Sequence, residues 1–340
     1  MAPGCSFETA ERRPFSAVSV GAQRRHPIWM GGVRRVSTDL AFLAAHRVQS
    51  TSVQEQPSEH MPLTTVVWTV IFAAALSVLW LRRHWLVAGL LSCGYVLALI
   101  ARLVGWSAGL SIALLLAAAY AVAPNRPRPW RIAGHTVFVL VAILLGTHLL
   151  PGFHNLRVIG PVRYTSDAIP FTMYLNLDKP LAGFWLLLVW PALCLHRGAW
   201  SWARGLLVGL VTAVVVLGFA FLFGEVAIAP KWPDGAWLWA INNLLIVCLT
   251  EEAVFRGYLQ EGLMRRFAER RHGEALAIAV AAALFGLSHA AGGLGYVLLA
   301  GLAGVGYGVA YRQGGLHAAM TAHFCLNLVH YGLLTYPRLA

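Results

Sequence analysis

Charge is what this sequence has least of. Asp, Glu, Lys and Arg make up 12% of its 340 residues, about half the share a soluble domain uses to cover its surface. Only two of the cations are lysines, Lys179 and Lys231. Cysteine is sparse as well. Cys5, Cys93, Cys194, Cys248 and Cys325 are scattered with no CxxC pair, which argues against a disulfide framework or a structural zinc site. No HExxH run occurs, so the metalloprotease helix built on that spacing is missing. No short apolar run followed by a small-residue cleavage site opens the chain, so a signal peptide is not expected. The net charge of +12 raises nucleic acid as a partner. The arginines, however, sit in short clusters between apolar runs, with no basic stripe interleaved with aromatics, and no nucleic-acid binding is expected.

What the chain does have is apolar length. Hydrophobic residues reach 58% and the mean hydropathy is +0.65, so membrane lipids are the expected solvent. Residues 1–60 form a polar, Arg-rich N-terminal tail, with Met61 as an alternative start of translation. Beyond it, apolar runs recur near the roughly 20 residues needed to cross a bilayer: 62–81, 85–101, 104–123, 132–150, 181–196, 203–224, 237–257, 275–290, 294–311 and 315–335. Backbone groups in lipid must be satisfied within the segment, so these runs read as helices. The fold class is all-α, a polytopic transmembrane bundle of about ten membrane helices. It divides into N-terminal helices at 62–150, a polar loop at 151–180 and a core at 181–335.

Loop arginines and lysines number twelve in the odd connections and five in the even ones. The odd loops should therefore face the cytoplasm, with residue 62 and the C-terminus on the other side. The Arg-rich tail then falls on the wrong face, which favours the Met61 start. Gly205/Gly209 and Gly304/Gly308 are small-xxx-small pairs that let helices approach closely.

Ionisable groups inside apolar runs are costly and so mark function. Thr250-Glu251-Glu252-Ala253-Val254-Phe255-Arg256 closes the seventh run. Glu252 and Arg256 are four apart and can pair on one helix face, which leaves Glu251 free to meet a polar pocket. Phe285 and His289 share the next helix at the same spacing, and His323 and Asn327 share the tenth. One pocket accounts for the desolvation of all these groups better than four separate accidents.

Those motifs resemble the CPBP family, which includes the type II CAAX prenyl endopeptidases and the Abi proteins. They stand here as Glu251-Glu252-x-x-x-Arg256, Phe285-x-x-x-His289 and His323-x-x-x-Asn327, complete and in order over about residues 181–335. The loop segment YLNLDKP at 174–180 also resembles bacterial members, which points to a multi-pass protein of a bacterial inner membrane. The resemblance implies an intramembrane glutamic endopeptidase acting on membrane-associated or lipid-modified peptide or protein substrates. Glu251 would be general base on a water shared with His289. His323 and Asn327 would donate to the oxyanion. Glu252, Arg256 and Phe285 would support them, with no cofactor and no metal.

Other readings stand beside this one. A zinc-dependent CAAX-type metalloprotease could use the two histidines and a glutamate, although an Asn four residues after a His is a poor zinc ligand. Gly105-Trp106-Ser107-Ala108-Gly109 matches the GxSxG pattern but opens a membrane helix instead of a strand-to-helix elbow. A transporter would be expected to show inverted repeats, which the sequence lacks. A non-catalytic membrane scaffold descended from a protease is the remaining alternative.

Overall fold

A computed structural model describes residues 61–81, 83–194 and 200–340. The expected tail at 1–60 lies outside the described residues. Four helices come first: α1 Met61–Trp80, α2 His84–Ile100, α3 Ala108–Ala121 and α4 Arg128–Gly146. An antiparallel hairpin follows, β1 Leu156–Val162 and β2 Phe171–Leu175. After it come α5 Pro180–Val189, α6 Ser201–Leu222, α7 Ala236–Arg266, α8 Gly273–Leu287 and α9 Leu294–Leu333. Ser107 precedes α3 at a helix start, so the GxSxG match does open a helix.

Five of these helices, α1, α4, α6, α7 and α9, are long and apolar enough to cross a membrane. The expected count of about ten membrane helices is not confirmed: among the described residues five helices meet that length, one of them (α9) kinked at Gly315, with shorter apolar helices between them. Helix α5 shows why a short apolar run misleads. Its residues Phe184, Trp185, Leu186 and Leu187 are all buried. Trp185 stacks on Phe138 of α4 at 4.1 Å and donates its indole N–H to the Leu115 carbonyl of α3 at 2.7 Å. An apolar run of this length that is covered on every side is a core helix.

The structure refines the expected boundaries. The expected polar loop at 151–180 carries the hairpin, the one named strand pair among the described residues of a mostly helical chain. Its β-branched and aromatic residues (Val158, Ile159, Phe171, Tyr174) suit a pleated, half-buried surface. The helices expected at 294–311 and 315–335 are both present, as two arms of α9 joined across a kink at Gly315 (φ 72°, ψ −160°), a conformation open to glycine. The seventh helix does not end at the double-Glu motif but continues to Arg266, with the motif near its middle.

Close backbone contacts hold the later helices together. A Cβ on Gly205 would come within 2.5 Å of the Ala318 carbonyl oxygen, and one on Gly209 within 2.8 Å of the Ala322 Cα. Both glycines thus let α6 lie directly on α9, the Gly209 contact one position away from His323. On the other side, a Cβ on Gly183 would come within 2.8 Å of the Thr250 Cα, so α5 rests on the backbone of α7 beside Glu251.

Candidate active site

The site is built on α7, whose course is not uniformly α-helical. Residues Asn243–Cys248 and Ala253–Gln260 form wider π turns on either side of Leu249–Glu252. Such turns are rare and concentrate at functional sites. Glu252, Arg256 and Gln260 recur every four residues and are all fully buried, which is why this polar stretch can continue a membrane-length helix. Arg256 donates to the Gly304 carbonyl at 3.0 Å and Gln260 to the Gly308 carbonyl at 3.1 Å. The glycine pair on α9 therefore does more than pack, since its missing side chains give two polar side chains access to backbone oxygens.

Arg256 Nε lies 3.2 Å from Glu252 Oε2, yet neither atom completes a hydrogen bond there. The contact is a charge pair with poor angular geometry. The guanidinium also sits over the Phe285 ring at 4.6 Å and near the Tyr307 ring at 5.3 Å, where the aromatic faces attract a desolvated cation. Glu252 turns its other oxygen, Oε1, to His323 Nδ1 at 2.8 Å. A carboxylate can only accept, so Nδ1 carries the hydrogen and Nε2 is the nitrogen left over. That nitrogen is an acceptor in the neutral ring and a donor in the imidazolium. It lies 3.9 Å from Glu251 Oε2.

Glu251 is not unpartnered, contrary to expectation. Lys179, at the start of α5, places its Nζ 2.5 Å from Glu251 Oε1. Glu251 is 8% exposed, so the helix-spacing argument that freed it from Arg256 left it a buried charge whose partner comes from the hairpin side.

His289 and Asn327 complete the set. His289 lies just beyond α8, in the turn that follows Leu287, and its Nδ1 donates to the Phe285 carbonyl at 2.9 Å. Its Nε2 is thereby left as an acceptor. Asn327 donates one amide hydrogen to Asn243 Oδ1 at 3.1 Å and keeps the other. Phe285 packs between these groups, 4.8 Å from the His289 ring and 5.8 Å from that of His323, while Tyr307 stacks on His323 at 4.4 Å. His289, His323, Asn327, Phe285 and Tyr307 share the wall of a cleft of about 660 Å³, counted with its open mouth. Leu217 of α6 and Ala303 of α9 form part of its apolar side, and the loop residues Glu225 and Arg338 complete it. Glu251 stands behind this wall, reaching it through His323.

Sequence reasoning missed Lys179, Tyr307 and Asn243. Lys179 carried the strongest available signal, as one of two lysines in the chain and the last residue before a buried helix. Among the described residues no group of three or more His, Cys, Asp or Glu side chains is arranged to hold an ion.

Residues 233–329 match the family model described as type II CAAX prenyl endopeptidase Rce1-like. No curated protein and no solved structure matches the chain. The matched segment holds Glu251, Glu252, Arg256, Phe285, His289, His323 and Asn327 and stops short of Lys179 on the N-terminal side. Through this segment, under a third of the chain, the protein is similar to the CPBP/CAAX protease family.

Proposed function

We propose that the chain is an intramembrane endopeptidase in which Glu251 activates a water molecule. The observation that carries this reading is the 3.9 Å separation of Glu251 Oε2 from His323 Nε2. It is too long for a direct hydrogen bond and within the span of one bridging water. Glu251 takes a proton from that water as the oxygen attacks the peptide carbonyl carbon, and the carbonyl π pair moves onto oxygen. His323, as imidazolium, and the spare Asn327 amide hydrogen donate to the oxyanion. His289 Nε2 accepts from the water and orients it. Collapse then breaks the C–N bond, and the proton held by Glu251 passes to the leaving amine. No cofactor enters this sequence.

The apolar side of the cleft and the family of the 233–329 segment favour membrane-associated or lipid-modified peptides as substrates, within a multi-pass bundle in a bacterial inner membrane. A zinc-dependent mechanism is the second reading, and the Lys179–Glu251 pair weighs against it. The test uses purified full-length protein in detergent and a fluorescence-quenched peptide ending in a prenylated CAAX sequence. Wild type should cleave it, and Glu251→Gln should lose roughly 100- to 10,000-fold in rate, as for a removed general base. Equal turnover by both proteins would refute the role given to Glu251.

A further inference from the structure

We propose that Lys179 is a positioning residue of this site, holding the Glu251 carboxylate in the one rotation that turns Oε2 toward His323. The proposal rests on the proteolytic reading above. A carboxylate torsion at the end of a Glu side chain is broad and soft, so Glu251 needs a partner to fix it. Arg256 is committed to Glu252, Gly304 and the aromatic rings. The Lys179 ammonium takes Oε1 at 2.5 Å, and Oε2 is left 3.9 Å from His323 Nε2.

Two independent features place that ammonium. Lys179 and Gly183 are four apart at the start of α5 and so lie on one face. Gly183 meets the Thr250 backbone, where a Cβ would come within 2.8 Å, and Lys179 meets the next residue of α7. The close approach fixes the height of α5 against α7. The second feature is a polar latch on the chain just before α5. Buried Asp178 accepts from His148 Nδ1 at 2.6 Å and from the Asn155 side chain at 3.3 Å, and its Oδ1 takes the Lys179 backbone N–H at 2.8 Å. Asn155 in turn accepts the Leu177 N–H, and the Tyr95 hydroxyl donates to the Leu177 carbonyl at 2.5 Å. Helix α2, the α4–β1 connection and the hairpin thus converge on one backbone turn, and the group they deliver is Lys179. Its side chain remains 32% exposed, enough for a reagent to reach it.

The test measures kcat and KM on the quenched prenylated peptide for full-length Lys179→Met, Lys179→Arg and Lys179→Cys, the last before and after aminoethylation with 2-bromoethylamine. Alkylation rebuilds a lysine-length ammonium by forming a C–S bond with loss of bromide. Wild type treated in parallel controls for reaction at the native cysteines. Lys179→Met should lose about 100-fold in kcat, the scale of a misplaced reacting group, with KM within about twofold. Aminoethylated Lys179→Cys should recover most of that loss, which restored packing alone would not give. Lys179→Arg, which keeps the cation and serves if the Met variant melts early, should stay within about tenfold of wild type.

Full-rate turnover by Lys179→Met, a loss confined to KM, or no recovery on aminoethylation would each overturn the proposal. So would a faster Met variant, which would make the pair a lock on Glu251. These outcomes presuppose an active wild type. A wild type no faster than Glu251→Gln brings down the proteolytic reading and this proposal with it, and so the two failures are told apart.

Discussion

At the scale of single residues, the two adjacent glutamates differ in what they leave behind when neutralised. Glu252 is fully buried against a fully buried Arg256. Replacing it with Gln keeps an acceptor for His323 Nδ1 but strips Arg256 of its only close counter-charge among the described residues. Orphaning a buried charge in this way costs about 3 to 5 kcal/mol, and Glu252→Gln should melt well below wild type in the same detergent. Adding Arg256→Met in that background removes the stranded cation and should recover part of the loss. Glu251→Gln leaves behind Lys179, which is partly exposed and can turn to water. Its melting temperature should therefore stay close to that of wild type while turnover collapses. Thermal melts of the two single variants and the Glu252→Gln/Arg256→Met double variant check this. A destabilised Glu251→Gln beside a stable, inactive Glu252→Gln would mean that the two carboxylates are assigned the wrong way round.

Among the elements, helix α6 offers an internal comparison. Gly209 faces the Ala322 backbone, where a Cβ would come within 2.8 Å, whereas a Cβ on Gly218 would meet nothing within 4 Å. Gly209→Leu should force α6 off α9 and cost about 1 to 3 kcal/mol through overpacking. Gly218→Ala in the same helix should raise stability by about 0.5 to 1 kcal/mol, because alanine is the better helix former. Melting curves of the two variants should thus shift in opposite directions. The long apolar helices were legible in the sequence because lipid demands unbroken hydrophobic length. The motif residues were legible because charge inside such length needs a reason, and the family match covers the same positions. What stayed hidden depends on tertiary contact. The π turns of α7 have no distinguishing composition. Glu252 and His323 meet across 71 positions, and Lys179 and Glu251 across 72. The end of α7 was misplaced because the apolar run stops at 257, whereas beyond it the polar Gln260, like Arg256, finds its partner in a backbone carbonyl of α9, at Gly308 and Gly304 respectively.

For the whole molecule, the two ends of the bundle carry different charge, and the cleft belongs to one of them. Arg204 bonds the Gln313 carbonyl at 3.0 Å, and Arg312 pairs with Glu274 at 2.5 Å. These contacts gather the connections before α6, before α8 and around residue 313 at an arginine-rich end. The hairpin belongs to the opposite end. Ala168 bridges Leu339, the Ile169 N–H donates to the Arg338 carbonyl at 3.1 Å, and Ile228 bridges Leu334. Glu225 and Arg338, which complete the cleft, lie in these same segments and pair at 3.5 Å. Lys231, one of the few cations here, bonds the Ala229 and Leu334 carbonyls, and burial holds its ammonium below the ordinary lysine value. If arginine-rich loops stay in the cytoplasm, the hairpin and the mouth of the cleft face away from it. Ser166 in the hairpin turn and Glu269 between α7 and α8 are both exposed and report on opposite ends. In intact cells a membrane-impermeant maleimide should label Ser166→Cys above the background of the native thiols. Glu269→Cys should react only after permeabilisation. The reverse pattern would place the cleft on the cytoplasmic side and show that the loop charges do not set the orientation of this chain.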